Sequence, residues 1–222
     1  MGESGAGRGG AKQFIDGLVG GYRKFRSRTF KSYQALFEKL ARKGQAPKAL
    51  VISCCDARVD PALITDADPG DLFIVRNVAN LVPPYEPDGH YHGTSAALEF
   101  AVSALDVKHI IVLGHSGCGG VEALARSHSE EATSGEFIAQ WMSIANRACE
   151  AVELQAWEMP GFNQARAVEH EVVKVSLENL LTFPWIKDRV ARGVLSLHGW
   201  YFDIESGELS DYDRRTGGFR PL

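Results

Sequence analysis

Hydrophobic residues recur along this chain at two spacings, one typical of helices and the other of buried strands. Near the amino terminus, apolar side chains fall at i, i+3, i+4 and i+7 from Ile15 to Tyr22, and again from Tyr33 to Leu40. This spacing predicts two amphipathic helices, each with an apolar stripe that must be buried against something. Residues 1–11 are polar and rich in glycine, and we expect a disordered tail there.

The middle of the chain alternates short, continuous apolar runs with helical patterns. The runs that predict buried parallel strands cover residues 49–53, 72–75, 110–113 and 194–197. The helical patterns cover residues 98–105, 121–126, 137–157 and 167–181. Asp60-Pro61 predicts one helix start, and Thr94 or Ser95 predicts another. We therefore expect a single α/β domain over residues 12–222, with a mostly parallel sheet of four or five strands and helices on both faces.

Composition and charge exclude several classes of protein. The 222 residues are 45% hydrophobic and 23% charged, as in an ordinary globular domain, and the net charge of −4 argues against nucleic-acid binding. No stretch approaches the ~20 apolar residues of a membrane span, and no signal-peptide layout is present, so we expect a cytoplasmic protein without a membrane partner. In a reducing compartment, cysteines act as metal ligands, catalytic thiols or buried apolar residues. We expect the last of these for Cys55 and Cys149.

Two segments at the ends of predicted strands carry most of the chemistry. Cys54-Cys55-Asp56-Ala57-Arg58 follows the first strand, and the glycine-rich run from Gly114 to Gly120 follows the third. In open α/β sheets, ligands bind at the carboxyl ends of the strands. If these two strands are neighbours, Cys54 and His115 reach one crevice, and the glycines let Cys118 face the same point. The positive end of the following helix would favour the thiolate form of Cys118.

Two thiolates and one imidazole form a three-ligand zinc set with one open position, which is typical of catalytic rather than structural zinc. Each residue alone is more simply explained as a buried side chain, but the three together favour a metal. Asp56 is near enough in sequence to be a fourth ligand, or to accept a hydrogen bond from a water on the zinc, while Arg58 holds its carboxylate. A surface salt bridge is the simpler alternative for this pair.

The pattern Cys54-x-Asp56-x-Arg58 with His115-x-x-Cys118 resembles the β-class carbonic anhydrases. The resemblance extends from about Gln45 to the end of the chain, and its further blocks are Phe73 to Asn80, Val82-Pro83-Pro84 and His198-Gly199-Trp200. It implies the reversible hydration of carbon dioxide to bicarbonate and a proton, by attack of a zinc-bound hydroxide, with one zinc per chain. It also implies that the zinc ligands are Cys54, His115 and Cys118, and that Asp56 and Arg58 form the catalytic pair.

The resemblance implies further residues for the substrate pocket. Gln45, Phe73 and Gly119 correspond to substrate-binding positions, and the first two are often contributed across a dimer interface. We therefore expect a homodimer, or a tetramer made of two such dimers, in which the amino-terminal helices pack on the partner. Phe100 stands where one subset of the family has a tyrosine, and Val51 where another has a tryptophan linked to bicarbonate regulation.

Other interpretations explain fewer of the residues. Gly114-x-Ser116 begins like a hydrolase nucleophile elbow, but Cys118 occupies the position that requires glycine. No Gly-Lys-Ser/Thr follows the glycines, as phosphate binding would require. A non-catalytic scaffold held by zinc leaves Asp56 and Arg58 unexplained. Hydrolysis of carbon disulfide or carbonyl sulfide on the same zinc site stays open as an alternative reaction.

Overall fold

The computed structural model describes residues 6–127, 135–156 and 163–222 of the chain. It separates into two compact units, one ending at Gln45 and the other running from Ala46 to Leu222. The amino-terminal helices form a cluster of their own, and the single domain expected over residues 12–222 stays a prediction.

Helices make up the first unit. They are α1 (Ala6–Lys24), α2 (Phe30–Ser32) and α3 (Gln34–Lys43), and a π-helical stretch, Phe25–Thr29, joins the first two. The stacked rings of Phe30 and Phe37, with centroids 5.3 Å apart, hold α2 against α3. Residues 6–11 are helical, so the expected disordered tail is wrong there, and residues 1–5 lie outside the described part. Propagating an existing helix adds one hydrogen bond per residue, which offsets the poor helix propensity of the glycines.

A six-stranded sheet forms the centre of the second unit. Its strands are β1 (Ala49–Cys54), β2 (Leu72–Asn77), β3 (His109–His115), β4 (Ser196–Phe202), β5 (Leu209–Asp213) and β6 (Gly218–Pro221). The spatial order is β2-β1-β3-β4-β5-β6, with the first four strands parallel and the last two antiparallel. The mostly parallel sheet is confirmed. The expected number of strands was too low, because β5 and β6 are short and lack a continuous apolar run.

The helices of the second unit differ in detail from the sequence patterns. They are α4 (Pro61–Thr65), α5 (Gly93–Glu99), α6 (Gly119–Ser127), α7 (Glu136–Met142), α8 (Asn146–Ala156), α9 (Gln164–Leu180) and α10 (Pro184–Ala191). A 3-10 turn, Ser143–Ala145, separates α7 from α8, and Trp157 lies outside the described residues. The α10 helix was not predicted from the sequence. The fourth strand begins at Ser196 rather than at residue 194.

The two predicted helix starts had different outcomes. The Asp60 carboxylate accepts hydrogen bonds from the backbone N–H groups of Ala62 (3.0 Å) and Leu63 (3.1 Å), so it caps α4 as predicted. The prediction that Thr94 or Ser95 caps α5 is wrong, because that helix begins at Gly93 and has no side-chain cap. The Thr94 hydroxyl instead accepts a hydrogen bond from the Asn77 side chain at 3.3 Å.

The sheet is covered by helices on both faces, as expected. Alternate residues of β1 and β3, among them Leu50 and Ile110, face a core shared with α5, α9 and α10. The intervening residues, among them Val51 and Ile111, face a smaller core that includes Ile64 of α4. Among the helices that the structure describes, none has the length and hydropathy needed to cross a membrane.

Strand register places the two chemical segments together. The β1 strand pairs directly with β3, and Ser53 lies opposite Leu113. Because the strands are parallel, the residues that follow them emerge at the same edge of the sheet. Cys54 and His115 therefore reach the same crevice, as the sequence predicted.

Candidate metal centre

Three buried side chains converge at this edge of the sheet. Cys54 ends β1, His115 ends β3, and Cys118 directly precedes α6. Their ligand atoms all lie within 4.8 Å of one another, and they form the one group of this kind among the described residues. The predicted three-ligand set is thus brought together by the fold.

The spacing of the two sulfur atoms fits a zinc ion. Cys54 Sγ and Cys118 Sγ lie 3.9 Å apart. Two thiolates bound to tetrahedral zinc at ~2.3 Å would have their sulfur atoms about 3.8 Å apart. The cysteines therefore already have the separation that zinc coordination requires.

The orientation of His115 also fits a metal ligand. Its Nδ1 lies 3.0 Å from the Ser116 carbonyl oxygen, to which Nδ1–H can donate a hydrogen bond. This bond leaves the lone pair on Nε2, which is buried and has no hydrogen-bond partner among the described residues. An unpaired buried acceptor is costly in a folded protein, and a cation between His115 and the two sulfur atoms would satisfy it.

Backbone N–H groups surround the two sulfur atoms. A hydrogen bond from the Cys118 thiol lowers the pKa of Cys54, the N–H groups of Ala79 and Asp56 also lower it, and burial opposes them. Sharing that proton raises the pKa of Cys118, although N–H groups at the start of α6 oppose the rise. Two thiols that share a proton can both ionise when a divalent cation neutralises them.

The N–H group of Ala79 reaches Cys54 because the backbone is strained at that residue. Ala79 has a φ of 62°, in the left-handed region that residues other than glycine rarely adopt. The residue is fully buried beneath the metal centre. The sequence carried no signal of this contact, because nothing in the run from Phe73 to Asn80 indicates a left-handed alanine.

Asp56 and Arg58 form the predicted pair beside the metal centre. Arg58 Nε and Nη2 donate to the two carboxylate oxygens of Asp56 at 3.0 and 2.7 Å, and Nη2 also donates to the Gly117 carbonyl at 2.8 Å. These bonds from Arg58 hold the pKa of the Asp56 carboxyl well below its usual range. Asp56 does not belong to the group of mutually close ligand atoms. Its carboxylate is engaged by the guanidinium instead.

Arg76 holds the same loop from the neighbouring strand. Its guanidinium donates hydrogen bonds to the carbonyl oxygens of Cys54 (3.0 Å), Asp56 (2.7 Å) and Val59 (2.7 Å). Three bonds from one planar cation fix the path of the chain after β1. Sequence reasoning missed this role, since the contact depends on the pairing of β2 with β1.

The predicted substrate-binding residues are dispersed. Gly119 is the exposed first residue of α6, next to Cys118. Phe73 lies opposite Leu50, four positions before the pairing of Cys54 with Asn77, and therefore about 13 Å away along the strand. Its ring packs on that of Phe100, with centroids 5.9 Å apart. Gln45 ends the first unit, and its role stays a prediction.

The remaining two cysteines lie apart from the ligand set. Cys149 is buried in α8, as expected. The prediction that Cys55 is buried is wrong, because it is exposed. Successive side chains of an extended strand point in opposite directions, so the inward position of Cys54 turns its neighbour outward.

Comparison with known proteins identifies the same family as the site. The sequence model of the family described as carbonic anhydrase matches residues 49–209. The chain is 45% identical over 160 residues to beta carbonic anhydrase 5, chloroplastic, of Arabidopsis thaliana, covering 72% of this chain and 52% of that protein. It is 39% identical over 196 residues to a carbonic anhydrase of Synechocystis sp., covering 88% and 70%. The chain thus spans about half the length of the first relative and more of the second.

Solved structures agree with the sequence relatives. The β-carbonic anhydrase CcaA has a TM-score of 0.87 and 37% identity, covering 95% of this chain and 92% of that one. One of two tetrameric β-carbonic anhydrases from Sordaria macrospora has a TM-score of 0.76 and 29% identity, with coverages of 90% and 96%.

A parallel sheet with two cysteines and a histidine at the carboxyl ends of neighbouring strands defines a class of α/β zinc enzymes with an open coordination position. This chain belongs to the carbonic anhydrase family, in its β class. The family's enzymes are zinc-dependent carbonate dehydratases, and Cys54, His115 and Cys118 fit one zinc ion in this chain.

Proposed function

We propose that this chain hydrates carbon dioxide reversibly at the centre formed by Cys54, His115 and Cys118. The observation that carries the proposal is the convergence of these ligands beside a carboxylate that Arg58 keeps ionised. Zinc bound there supplies Lewis acidity that brings the pKa of a bound water toward neutrality, as in the three-histidine carbonic anhydrases.

Asp56 would orient the reacting oxygen. Because its carboxylate is ionised, it can only accept hydrogen bonds, so it selects the orientation in which the hydroxyl proton points toward Asp56. A lone pair of that oxygen is then left to face the carbon of carbon dioxide. The Arg58 guanidinium uses one donor on each carboxylate oxygen, and the Arg58 backbone N–H donates to Oδ1 at 2.9 Å, so Oδ2 keeps the greater acceptor capacity. Without Arg58, the same carboxylate would be free to become the fourth metal ligand.

The activity is tested by stopped-flow hydration of carbon dioxide with zinc-loaded protein. We expect the parent protein to carry one zinc and to be active, and Cys118→Ser to lose both zinc and activity. Cys149→Ser is the matched control, because it changes another buried cysteine that does not belong to the ligand set. Full zinc occupancy and parent activity in Cys118→Ser would refute the ligand assignment.

We also propose a homodimer in which each chain completes the other's substrate pocket. Phe73 and Phe100 pack on each other about 13 Å along the sheet from the Cys54 register position. Phe100 is 48% exposed, and β2, which carries Phe73, forms one edge of the described sheet. These aromatic rings are therefore better placed to line the substrate pocket at a partner's metal centre than at the centre of their own chain. Gln45 and Gly119 would bind the bicarbonate oxygens. Pairing of dimers into a tetramer is compatible with this arrangement.

The amino-terminal helix supports the same assembly. Four apolar side chains of its predicted stripe are exposed: Ile15 56%, Leu18 58%, Val19 42% and Tyr22 62%. Burying such a stripe in a partner would stabilise association by about 25 cal/mol per Å². Sedimentation of Leu18→Asp/Tyr22→Asp should show monomers with reduced activity, whereas Gln13→Asp, on the opposite side of the helix, should stay associated. A fully active monomer would contradict the shared pocket.

We further propose a cytoplasmic location. Its support is that Cys54, Cys55, Cys118 and Cys149 are all free thiols, which suits a reducing compartment. Microscopy of the fluorescently tagged protein tests it, and retention in an oxidising compartment would contradict it.

A further inference from the structure

A buried carboxylate outside the ligand set lies directly behind Cys118. Glu169, on α9, is only 6% exposed. Its Oε1 accepts a hydrogen bond from the backbone N–H of Cys118 at 3.1 Å, and its Oε2 accepts one from the Tyr201 hydroxyl at 2.6 Å. Both carboxylate oxygens are thus bonded, one of them to the backbone of a zinc ligand.

The position of Glu169 is unusual for a residue that only packs. It lies between Val168 and the apolar residues of the next helical turn, where an apolar side chain would also fill the core. Burying a carboxylate is costly unless its oxygens are hydrogen-bonded. The fold meets that cost with a bond to Cys118 and a bond to Tyr201, which is itself 3% exposed. These two bonds suit a residue that positions Cys118 better than a residue that only stabilises the core.

The loop that carries two zinc ligands is held at several points, one of which is the bond from Arg58 to the Gly117 carbonyl. Ser116 Oγ accepts a hydrogen bond from the backbone N–H of Ile204 at 2.8 Å, which ties the loop to the chain after β4. Between this point and Cys118 lies Gly117, whose φ of 64° marks a sharp turn of the backbone. The bond to Glu169 is a further point, and it fixes the backbone from which the Cys118 sulfur projects.

We propose that Glu169 is a positioning residue for zinc, which holds Cys118 in the geometry of the ligand set and is itself held by Tyr201. The inference rests on the zinc site of the proposed function. Partners of metal ligands typically contribute 10–100-fold to metal affinity. With Glu169 in place, zinc should dissociate more slowly, because a fixed Cys118 can recapture an ion that has been partly released.

The test measures zinc release to a chromogenic chelator, together with thermal unfolding of the zinc-loaded protein. Glu169→Met keeps the length of the side chain but cannot accept a hydrogen bond, and we expect release about 10–100-fold faster than in the parent. Glu169→Gln keeps an oxygen for the Cys118 N–H and should release zinc within a few-fold of the parent rate. Tyr201→Phe removes the hydroxyl that donates to Glu169 and should release zinc at a rate between those of the two Glu169 variants.

Asn179→Leu is the matched control on the same helix. Asn179 is also buried, and its side chain donates to the Val82 carbonyl at 2.8 Å, away from the ligand set. It should lower the unfolding temperature without faster zinc release. Parent-like release in Glu169→Met, or equally fast release in Asn179→Leu at the same loss of stability, would overturn the proposal. If Glu169→Met does not fold, Tyr201→Phe decides: accelerated release supports the proposal, and parent-like release overturns it.

Cobalt substitution adds a spectroscopic readout. The visible bands of cobalt bound to thiolates depend on ligand geometry, so they should change in Glu169→Met and stay parent-like in Glu169→Gln. Unchanged bands in Glu169→Met would count against the proposal. These readouts are separate from catalysis: a parent protein that binds no zinc would refute the proposed function, whereas parent-like metal binding in Glu169→Met would refute only this inference.

Discussion

The imidazole of His170 makes the stability of this protein depend on pH in the acid range. His170 lies on α9 between the rings of Tyr201 and Phe219, with centroid distances of 4.3 and 4.2 Å. Its Nε2 is buried without a hydrogen-bond partner in the described part of the chain. Burial, with further contributions from the nearby cations Arg166 and Lys174, lowers the pKa of His170 from 6.5 to about 4.

The direction of the effect follows from proton binding. The folded protein keeps His170 neutral down to about pH 4, whereas the unfolded chain binds a proton near pH 6.5. Between these values the unfolded state holds more protons, so stability falls as the pH falls. At about 1.4 kcal/mol per pKa unit, the lowered pKa of His170 changes the free energy of unfolding by at most roughly 3 kcal/mol across this pH range. Because the imidazole is only partly buried, solvent screening reduces our expectation to about 2 kcal/mol.

Urea unfolding followed by circular dichroism at several pH values measures this contribution. We expect the free energy of unfolding of the parent to fall by about 2 kcal/mol relative to His170→Phe between pH 7.5 and pH 4.5. Phenylalanine keeps a ring between Tyr201 and Phe219 but cannot be protonated. His90→Phe, the same substitution in an exposed loop, controls for changes common to both proteins, such as loss of zinc. Parallel stability curves for the parent and His170→Phe would refute the assignment.

Two further predictions concern the metal centre. Arg58→Ala should retain zinc but lose most carbon dioxide hydration, with Asp56 bound to the metal in X-ray absorption or crystal structures; parent activity with a water in that position would contradict the role of Arg58. Gly120→Ala should cost about 1–3 kcal/mol in urea unfolding, because its Cβ would lie 2.7 Å from Val78 Cγ1. Gly119→Ala, with no atom within 4 Å of its Cβ, is the control, and equal stability of the two variants would show that the packing argument is wrong.

Local patterns in the sequence were sufficient to predict most of the strands and helices of the second unit. The strands β1, β2 and β3 each show a continuous apolar run. In β1 and β3 the reason is burial on both faces, which needs apolar side chains at successive positions. Asp60 before Pro61 predicted a helix start correctly, because capping depends on residues adjacent in the chain. The hairpin of β5 and β6 was missed, because its short strands alternate polar and apolar residues and obtain their stability from β4.

The residues of the metal centre also divide into those that local patterns predicted and those that they did not. Cys54, His115 and Cys118 could be predicted because each follows a strand closely, and parallel strands deliver such residues to one edge of the sheet. The pairing of Asp56 with Arg58 is similarly local, since the two residues are separated by one position.

Residue types and their spacing specify which side chains can bind zinc and where along the chain they stand. The folded packing specifies what holds them in place: the left-handed Ala79, the bonds from Arg76, and the carboxylate of Glu169, which lies 51 positions from Cys118. A charged residue beside an apolar helical stripe does signal a buried partner, but it does not say which one. These contacts depend on the packing of α9 against the end of the sheet and on the register of β2 with β1, and no spacing within a single element encodes either.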